Sequence, residues 1–395
     1  MKILIYGTIS RPCALAGEID VGGWKTRLKA FADRMLWHIG STARLDYRNY
    51  DAPCPTNAGD IAISEAVRNQ LRALLSAPTF INVNWGEMES LDRRVLNACD
   101  LIVIAGSGYF SLTKDGLASR IAHDLTVIEQ GATPVILYGV GINEPLYTTP
   151  SRGAASILPN DEALLKRFLA RMSHIGVRDR ASQEILARHT DQPVALVGDP
   201  ALFLDLPGRR VTANPSLADA PPRISINFSF HGPLSTQILK RNLPAYVDLL
   251  HTLQEETACT LHYFVHNHSE WIIPVLLNDS GLSVETVCGT PSYLAERYAG
   301  MNAHLGGMLH SCILAVGAGT PCVLLPYDIK HRGFAELVGL EAHCHNATRL
   351  DPTAVLDSLR YLLTHEEAMR ESIRVRLDVL HREQEGFLRA CVAAP

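Results

Sequence analysis

Short apolar runs and helix-patterned stretches take turns along this sequence, and that alternation leaves few architectures open. Ile3 to Tyr6, Phe80 to Val83, Leu101 to Ala105, Pro134 to Tyr138, His174 to Val177 and Val194 to Val197 are the apolar runs of the first half. Between them, Ile61 to Leu75 sets Ile61, Ala62, Ala66, Leu71, Leu74 and Leu75 on one helical face, and Ala181 to Ala187 repeats the pattern more briefly. Strands alternating with helices imply a mostly parallel sheet covered on both faces, so residues 1–205 are expected to form a Rossmann-like α/β domain. From Leu206 to Pro222 the periodicity stops and Pro, Ala and small polar residues collect, the composition of an interdomain linker. The alternation resumes at Ile224 to Phe228, Leu261 to Val265, Leu282 to Val287 and Cys322 to Leu325. Tyr246 to Glu256 and Leu309 to Val316 are among the helical stretches there, which predicts a second Rossmann-like domain over residues 223–365. Residues 366–395 read as a charged helix with Met369, Ile373, Leu377 and Leu380 on its packing face. Two such domains in series hold a ligand in the cleft between their facing strand ends.

Composition narrows the function classes. A chain of 395 residues exceeds what one core usually organises, in keeping with two domains. The formal charge of -5, with Lys and Arg scattered, gives no support for a nucleic-acid partner. The cysteines number nine, an odd count without a CxxC pair, and read as free thiols of a reducing compartment. Met1 to Gly7 is strand-like and too short for the core of a signal peptide, and no run approaches the roughly eighteen apolar residues of a membrane span. A cytoplasmic protein is expected, with peripheral membrane contact left open. The first strand turn, Tyr6-Gly7-Thr8-Ile9-Ser10, lacks the dinucleotide fingerprint, and no P-loop, GxSxG elbow or HExxH stretch occurs, so no cofactor is expected. His266-Asn267-His268 and His343-Cys344-His345 each look like half of a metal site without a third ligand at a recognisable spacing, so no metal is expected either.

The candidate chemistry gathers where strands end and helices begin. In the segment Gly307 to Leu340, His310 and Ser311 open an apolar helix, and Gly317, Gly319 and Pro321 lead into the strand from Cys322. That strand is followed by Tyr327, Asp328, Lys330, His331 and Arg332. His310 is the sharpest candidate, because imidazole exchanges a proton near neutral pH and a helix start is expected to leave it open to solvent. Asn57-Ala58-Gly59-Asp60 precedes the helix from Ile61, with Asp60 as a cap and Gly59 allowing close approach of a ligand to a helix N-terminus that favours anions. Gly106-Ser107-Gly108 and Gly139-Val140-Gly141 close successive strands. Arg178, at the end of another, suits a bidentate clamp on carboxylate or phosphate. Asp199, in Gly198-Asp199-Pro200-Ala201, reads as a structural cap.

In order, Asn57 to Ile63, Gly106-Ser107-Gly108, Gly139 to Ile142, Val177 to Ser182, Gly198 to Ala201 and Leu309-His310-Ser311 through Lys330 resemble the polysaccharide pyruvyltransferase family over residues 1 to about 340. The resemblance implies two Rossmann-like domains in a glycosyltransferase-B-like arrangement. It also implies transfer of the enolpyruvyl carbons of phosphoenolpyruvate onto two hydroxyls of a sugar as a cyclic ketal. It assigns His310 as the acid and Arg178 and Lys330 to the donor's anionic groups. Ser311, Asn57, Asp60, Gly106, Ser107, Gly108 and Arg332, at the same strand ends and helix starts, are expected to line the substrate site beside them. The implied partners are phosphoenolpyruvate and a glycan or lipid-linked sugar acceptor. Where the family commonly reads Arg-Leu-His, this chain has Met308-Leu309-His310. Either Arg332, Lys330 or Arg180 supplies the missing charge, or the donor has changed. The alternatives to a pyruvyltransferase are a nucleotide-sugar glycosyltransferase of the same shape and a diverged member with a glycan-binding or assembly role. Acceptor sugar and oligomeric state are not written in the residues.

Overall fold

The computed structural model describes residues 1–7, 35, 57–88, 91, 93–113, 116–117, 119–143, 157, 159–204, 220–230 and 232–393. The expected linker lies outside them up to residue 219. The strands are β1 (Lys2–Gly7), β2 (Thr79–Asn84), β3 (Leu101–Ala105), β4 (Phe110–Thr113), β5 (Gly116–Leu117), β6 (Val135–Val140), β7 (Ile142–Asn143), β8 (Met172–Val177), β9 (Val194–Leu196), β10 (Arg223–Asn227), β11 (Thr260–Phe264), β12 (Val284–Val287), β13 (Ala303–Gly306) and β14 (Cys322–Leu324). The helices are α1 (Ala58–Leu74), α2 (Arg93–Asn97), α3 (Arg120–Ile128), α4 (Pro159–Ala170), α5 (Arg180–Ala187), α6 (Gly232–Thr257), α7 (Ile272–Asp279), α8 (Pro291–Ala299), α9 (Leu309–Gly317), α10 (Ile329–Val338), α11 (Pro352–Thr364) and α12 (Glu366–Ala393).

Two wholly parallel sheets result, ordered β2-β1-β3-β6-β8-β9 and β12-β11-β10-β13-β14, with a small third sheet β5-β4-β7 beside the first. The order reverses between β1 and β3 in one and between β10 and β13 in the other. At such a point the two flanking connections leave for opposite faces and open a crevice at the carboxyl ends of the strands.

Burial on both faces explains the apolar runs. In β1, Ile3 and Ile5 join one core with Ala62, Ala66 and Leu71 of α1, whereas Leu4 and Tyr6 join another with Ile121, Leu125 and Phe168. The first of these cores continues into the second half through Tyr298 of α8, Leu309 and Ile313 of α9, and Phe264 and Leu324. Burying each such Leu or Ile is worth about 1.5–3 kcal/mol, against about 1 kcal/mol for a hydrogen bond. Apolar packing is therefore the main bond between the two sheets.

The tail helix α12 forms as expected and crosses back to the first half, placing Ile373, Leu377 and Leu380 in that shared core. Gln384 donates to Asp199 O (3.2 Å) and accepts from the Tyr138 hydroxyl (2.9 Å), and Phe387 stacks on Tyr138 at 5.8 Å between ring centres.

The expectation of free thiols needs correction, and two histidines are buried in the fold. β13, a central strand, has no apolar run because His304 interrupts it; the ring is buried between Ser225 Oγ (3.0 Å) and Ser311 Oγ (2.9 Å), which makes a polar residue tolerable in a core strand. Cys288 is disulfide-bonded, whereas Cys99, Cys259, Cys312, Cys322, Cys344 and Cys391 are free thiols. Whether two sulfurs meet is set by the fold and not by spacing along the chain. His266, just after β11, is buried, with Nε2 2.8 Å from the Tyr298 hydroxyl. Among the described residues no helix is long and apolar enough to cross a membrane.

Candidate active site between two helix starts

Two helices begin face to face between the sheets. At α1, Gly59 N–H donates to Asn57 Oδ1 (3.0 Å), and Asn57 Nδ2 donates to Asp60 Oδ2 (2.8 Å), so the cap residue is Asn57 and Asp60 supports it from the first turn. Ala58 N–H reaches across to His266 O (2.8 Å). At α9 the cap position is held by Met308, whose side chain makes no capping bond. The start of α9 is secured from the sheet instead: Asn227, at the end of β10, accepts Gly307 N–H on its backbone oxygen (2.6 Å) and Met308 N–H on its side-chain oxygen (3.3 Å). This is the reversal point of the second sheet.

His310 lies against the first turn of α1. A Cβ at Gly59 would sit 2.1 Å from its Cγ and Nδ1, so Gly59 makes room for the imidazole and not for a ligand, a correction to the sequence expectation. The side chain is also only 12% exposed, because α1 covers what a free helix start would leave to solvent. Its Nε2 has no hydrogen-bond partner and lies 3.9 Å from Asp199 Oδ2, which has none either. The other Asp199 oxygen accepts Ala201 N–H (3.0 Å), so the expected cap exists and the same carboxyl also faces His310. Burial pushes Asp199 up to about 6 against the pull of Arg178. Burial, followed by the charges of Arg178 and Lys330, pushes His310 well below its usual value. The imidazole is thus held neutral beside a carboxylate.

Arg178 is 5% exposed at the end of β8, donating through Nε to Asp179 Oδ2 (3.3 Å) and through Nη2 to Asn143 Oδ1 (3.0 Å). The glycine turns make space for this pair. A Cβ at Gly141 would lie 2.3 Å from Arg178 Nε, and one at Gly108 would lie 1.7 Å from Asn143 Nδ2. Gly106 and Ser107 have φ of 57° and 60°, the left-handed region that costs a serine energy and turns the chain sharply after β3. Asp179 caps α5 by accepting Ser182 N–H (2.8 Å), and Gly333 of α10 packs on it, which brings the helix that carries Lys330 against the residue next to Arg178. Lys330 is 17% exposed, with Nζ 3.9 Å from Asp328 Oδ2 and 5.5 Å from the centre of the Tyr327 ring.

The structure thus gathers His310, Arg178, Lys330, Asn57 and Asp60, with the Gly106 to Gly108 turn behind Asn143. It turns Ser311 inward: fully buried, its hydroxyl donates to Met308 O (2.7 Å) and meets His304. Arg332 and Arg180 are exposed. Of the three cations expected to replace the arginine at position 308, Lys330 is the one whose charge bears on His310. Asp199, Asn143, Asn227 and Glu270 were not singled out as site residues by sequence reasoning. Glu270 Oε2 accepts His266 N–H (2.8 Å) and Asn227 Nδ2 (2.9 Å), and burial pushes this carboxyl up to about 8.

Two parallel sheets with a crevice between their carboxyl ends define the glycosyltransferase-B-like class. The chain is similar to UDP-GlcNAc 2-epimerase from Methanocaldococcus jannaschii in complex with UDP-GlcNAc and UDP, at TM-score 0.51 and 10% identity over 92% of this chain and 93% of that one. It is likewise similar to UDP-GlcNAc 2-epimerase from Neisseria meningitidis bound to UDP-GlcNAc, at TM-score 0.52 and 12% identity over 94% of each. At such identities the likeness establishes the fold alone. The chain belongs to the polysaccharide pyruvyl transferase family, whose model matches residues 57–329, from the cap of α1 to the first residue of α10. No curated protein matches it significantly.

Proposed function

We propose that this protein is a ketal pyruvyltransferase that uses phosphoenolpyruvate as donor and a sugar of a cell-surface polysaccharide, or its lipid-linked precursor, as acceptor, working in the cytoplasm. The observation that carries this reading is the convergence of Arg178, Lys330 and the His310–Asp199 pair between two helix N-termini, in a chain of this family. The donor's phosphate and carboxylate suit two cations and two positive helix ends. In this reading residues 1–205 form the acceptor side and lend Arg178, residues 206–222 link the halves, and residues 223–365 form the donor side with His310 and Lys330. Lys330 takes the place of the arginine absent at Met308.

The chemistry follows from charge. Burial and, after it, the cations keep His310 neutral; a bound anion offsets the cations and the Asp199 carboxylate stabilises the imidazolium, so the imidazole gains a proton when the donor is in place. His310 gives that proton to the methylene carbon. The adjacent carbon becomes oxocarbenium-like, and a sugar hydroxyl attacks it, returning its own proton to His310. The C–O bond to phosphate then breaks with its electron pair leaving on phosphate, and the second hydroxyl closes the ring, its proton leaving as hydrogen phosphate. One donor and one diol give one ketal and one hydrogen phosphate.

A thermal-shift titration with phosphoenolpyruvate, set against uridine and guanosine diphosphate sugars, tests the reading. At a hundred times its dissociation constant a ligand stabilises the fold by about 2.7 kcal/mol. Phosphoenolpyruvate alone is expected to raise the melting temperature. A shift with nucleotide sugars only would overturn the donor assignment in favour of glycosyl transfer.

A further inference from the structure

The two helix starts that frame His310 are joined by one carboxyl that sits on neither. Glu270, in the short 3-10 turn His268–Trp271, is fully buried. One of its oxygens takes two donors. The first is the backbone N–H of His266 (2.8 Å), whose carbonyl accepts Ala58 N–H at the start of α1 (2.8 Å). The second is Asn227 Nδ2 (2.9 Å), whose side-chain oxygen accepts Met308 N–H just before α9 (3.3 Å). Asn227 Nδ2 also donates to Phe264 O (2.8 Å), which fixes the amide so that its oxygen can only face Met308.

We propose that Glu270 is a positioning residue for proton transfer at His310, setting the separation between the starts of α1 and α9. The proposal rests on the reading of His310 as the acid. His310 fills the space above Gly59 with no slack, and its Nε2 stands 3.9 Å from Asp199. A shift of the α9 start changes that gap directly, and a shift of the α1 start changes it through the Gly59 contact on the imidazole. The tether runs through backbone groups, one locked amide and the fully buried Glu270 side chain, so it has few free rotors in which to lose a displacement.

The test uses the full chain and three variants. Glu270→Ala removes the acceptor, Glu270→Asp withdraws it by one methylene, and Glu270→Gln keeps an oxygen of the same reach. Amide hydrogen exchange is followed in peptides covering Ala58 and Met308, alongside kcat and KM for phosphoenolpyruvate. A misplacement of this kind costs about 100-fold in rate. Glu270→Ala, or Glu270→Asp if the alanine protein does not fold, is expected to speed exchange at both helix starts together. It should also lower kcat about 100-fold while leaving KM near the wild-type value, and Glu270→Gln should recover both. Exchange that rises at one start or at neither, a loss confined to KM, or a folded Glu270→Gln protein as impaired as the alanine one would overturn the proposal. Exchange needs no donor, so it decides the tether even if wild-type protein fails to turn over phosphoenolpyruvate, a result that would count against the proposed function instead.

Discussion

The starts of α1 and α9 face the same space and are secured in opposite ways. Asn57 caps α1 from within its own first turn, three residues from Asp60. The start of α9 is held by Asn227, 81 residues earlier in the chain. A local cap stabilises a helix wherever the helix happens to lie. A tether to the end of a sheet strand fixes where the helix begins relative to that sheet, and so places His310, while leaving α9 without a capping side chain.

The largest expected effect breaks the chemistry on the α9 side. His310→Gln keeps the shape of the ring's contact but removes the proton, and turnover should fall about 10²–10⁴-fold with the melting temperature nearly unchanged. Full activity in that protein would strip the placement of α9 of its functional meaning. Next comes Asn227→Ala, which leaves buried partners unsatisfied on Phe264, Glu270 and Met308 at about 1–3 kcal/mol each, not fully additive. Urea unfolding should show a loss of about 3 kcal/mol, against about 1 kcal/mol for Asn57→Ala. Equal losses would erase the distinction between tether and cap.

Gly59→Ala probes the contact where the two starts meet. Its Cβ would overlap the His310 ring, so a loss of about 1–3 kcal/mol is expected, together with reduced turnover. Gly386→Ala, inside α12 with nothing within 4 Å of the new carbon, should instead stabilise by about 0.5–1 kcal/mol. The same sign for both would mean that His310 yields freely.

The shallowest dependence is the decline with pH above neutrality, part of a slope belonging to the α9 side. Burial pushes His266, His304 and His331 each down to about 3, so the fold keeps them neutral while the unfolded chain protonates them below 6.5. Their contribution is complete above 6.5 and is lost as pH falls toward 3. Glu270 runs the other way, from 4.5 up to about 8, and Asp199 from 3.8 to about 6, each contributing at low pH and losing that contribution as pH rises. Three histidines outweigh two carboxyls up to 6.5, and above it Glu270 alone of the five still slopes downward. The urea midpoint should rise to about pH 6.5 and then decline gently toward 8. Glu270→Gln should abolish the decline.

The contrast between the helix starts also marks what the sequence could disclose. Although the cap of α1 is Asn57 and not the expected Asp60, the strands of β1 and β3 and the helices at α1 and α9 are periodic or local signals and are legible. β13 is not, because His304 sits where an apolar residue is expected and its two serine partners come from other elements. Glu270 follows His268 and Ser269 in a stretch with the composition of a polar loop, and only the fold shows it buried. Gly59, Gly108 and Gly141 are visible as glycines, yet what each makes room for, an imidazole, an amide or a guanidinium, depends on side chains 251, 35 and 37 positions further along in sequence. Ser311 and Arg332 show the converse: they neighbour His310 and Lys330 along the chain and, within their helices, face other ways.

The return of α12 to the first sheet sets an order of events during synthesis. Gln384 closes over Asp199 from 185 residues away, and Phe387 covers Tyr138. At about 5–20 residues per second the ribosome needs roughly 10–40 s to add that stretch. Throughout that interval the carboxyl end of the first half, including the turn that carries Asp199, waits without its cover, so the Asp199 carboxylate acquires its final surroundings only when α12 arrives.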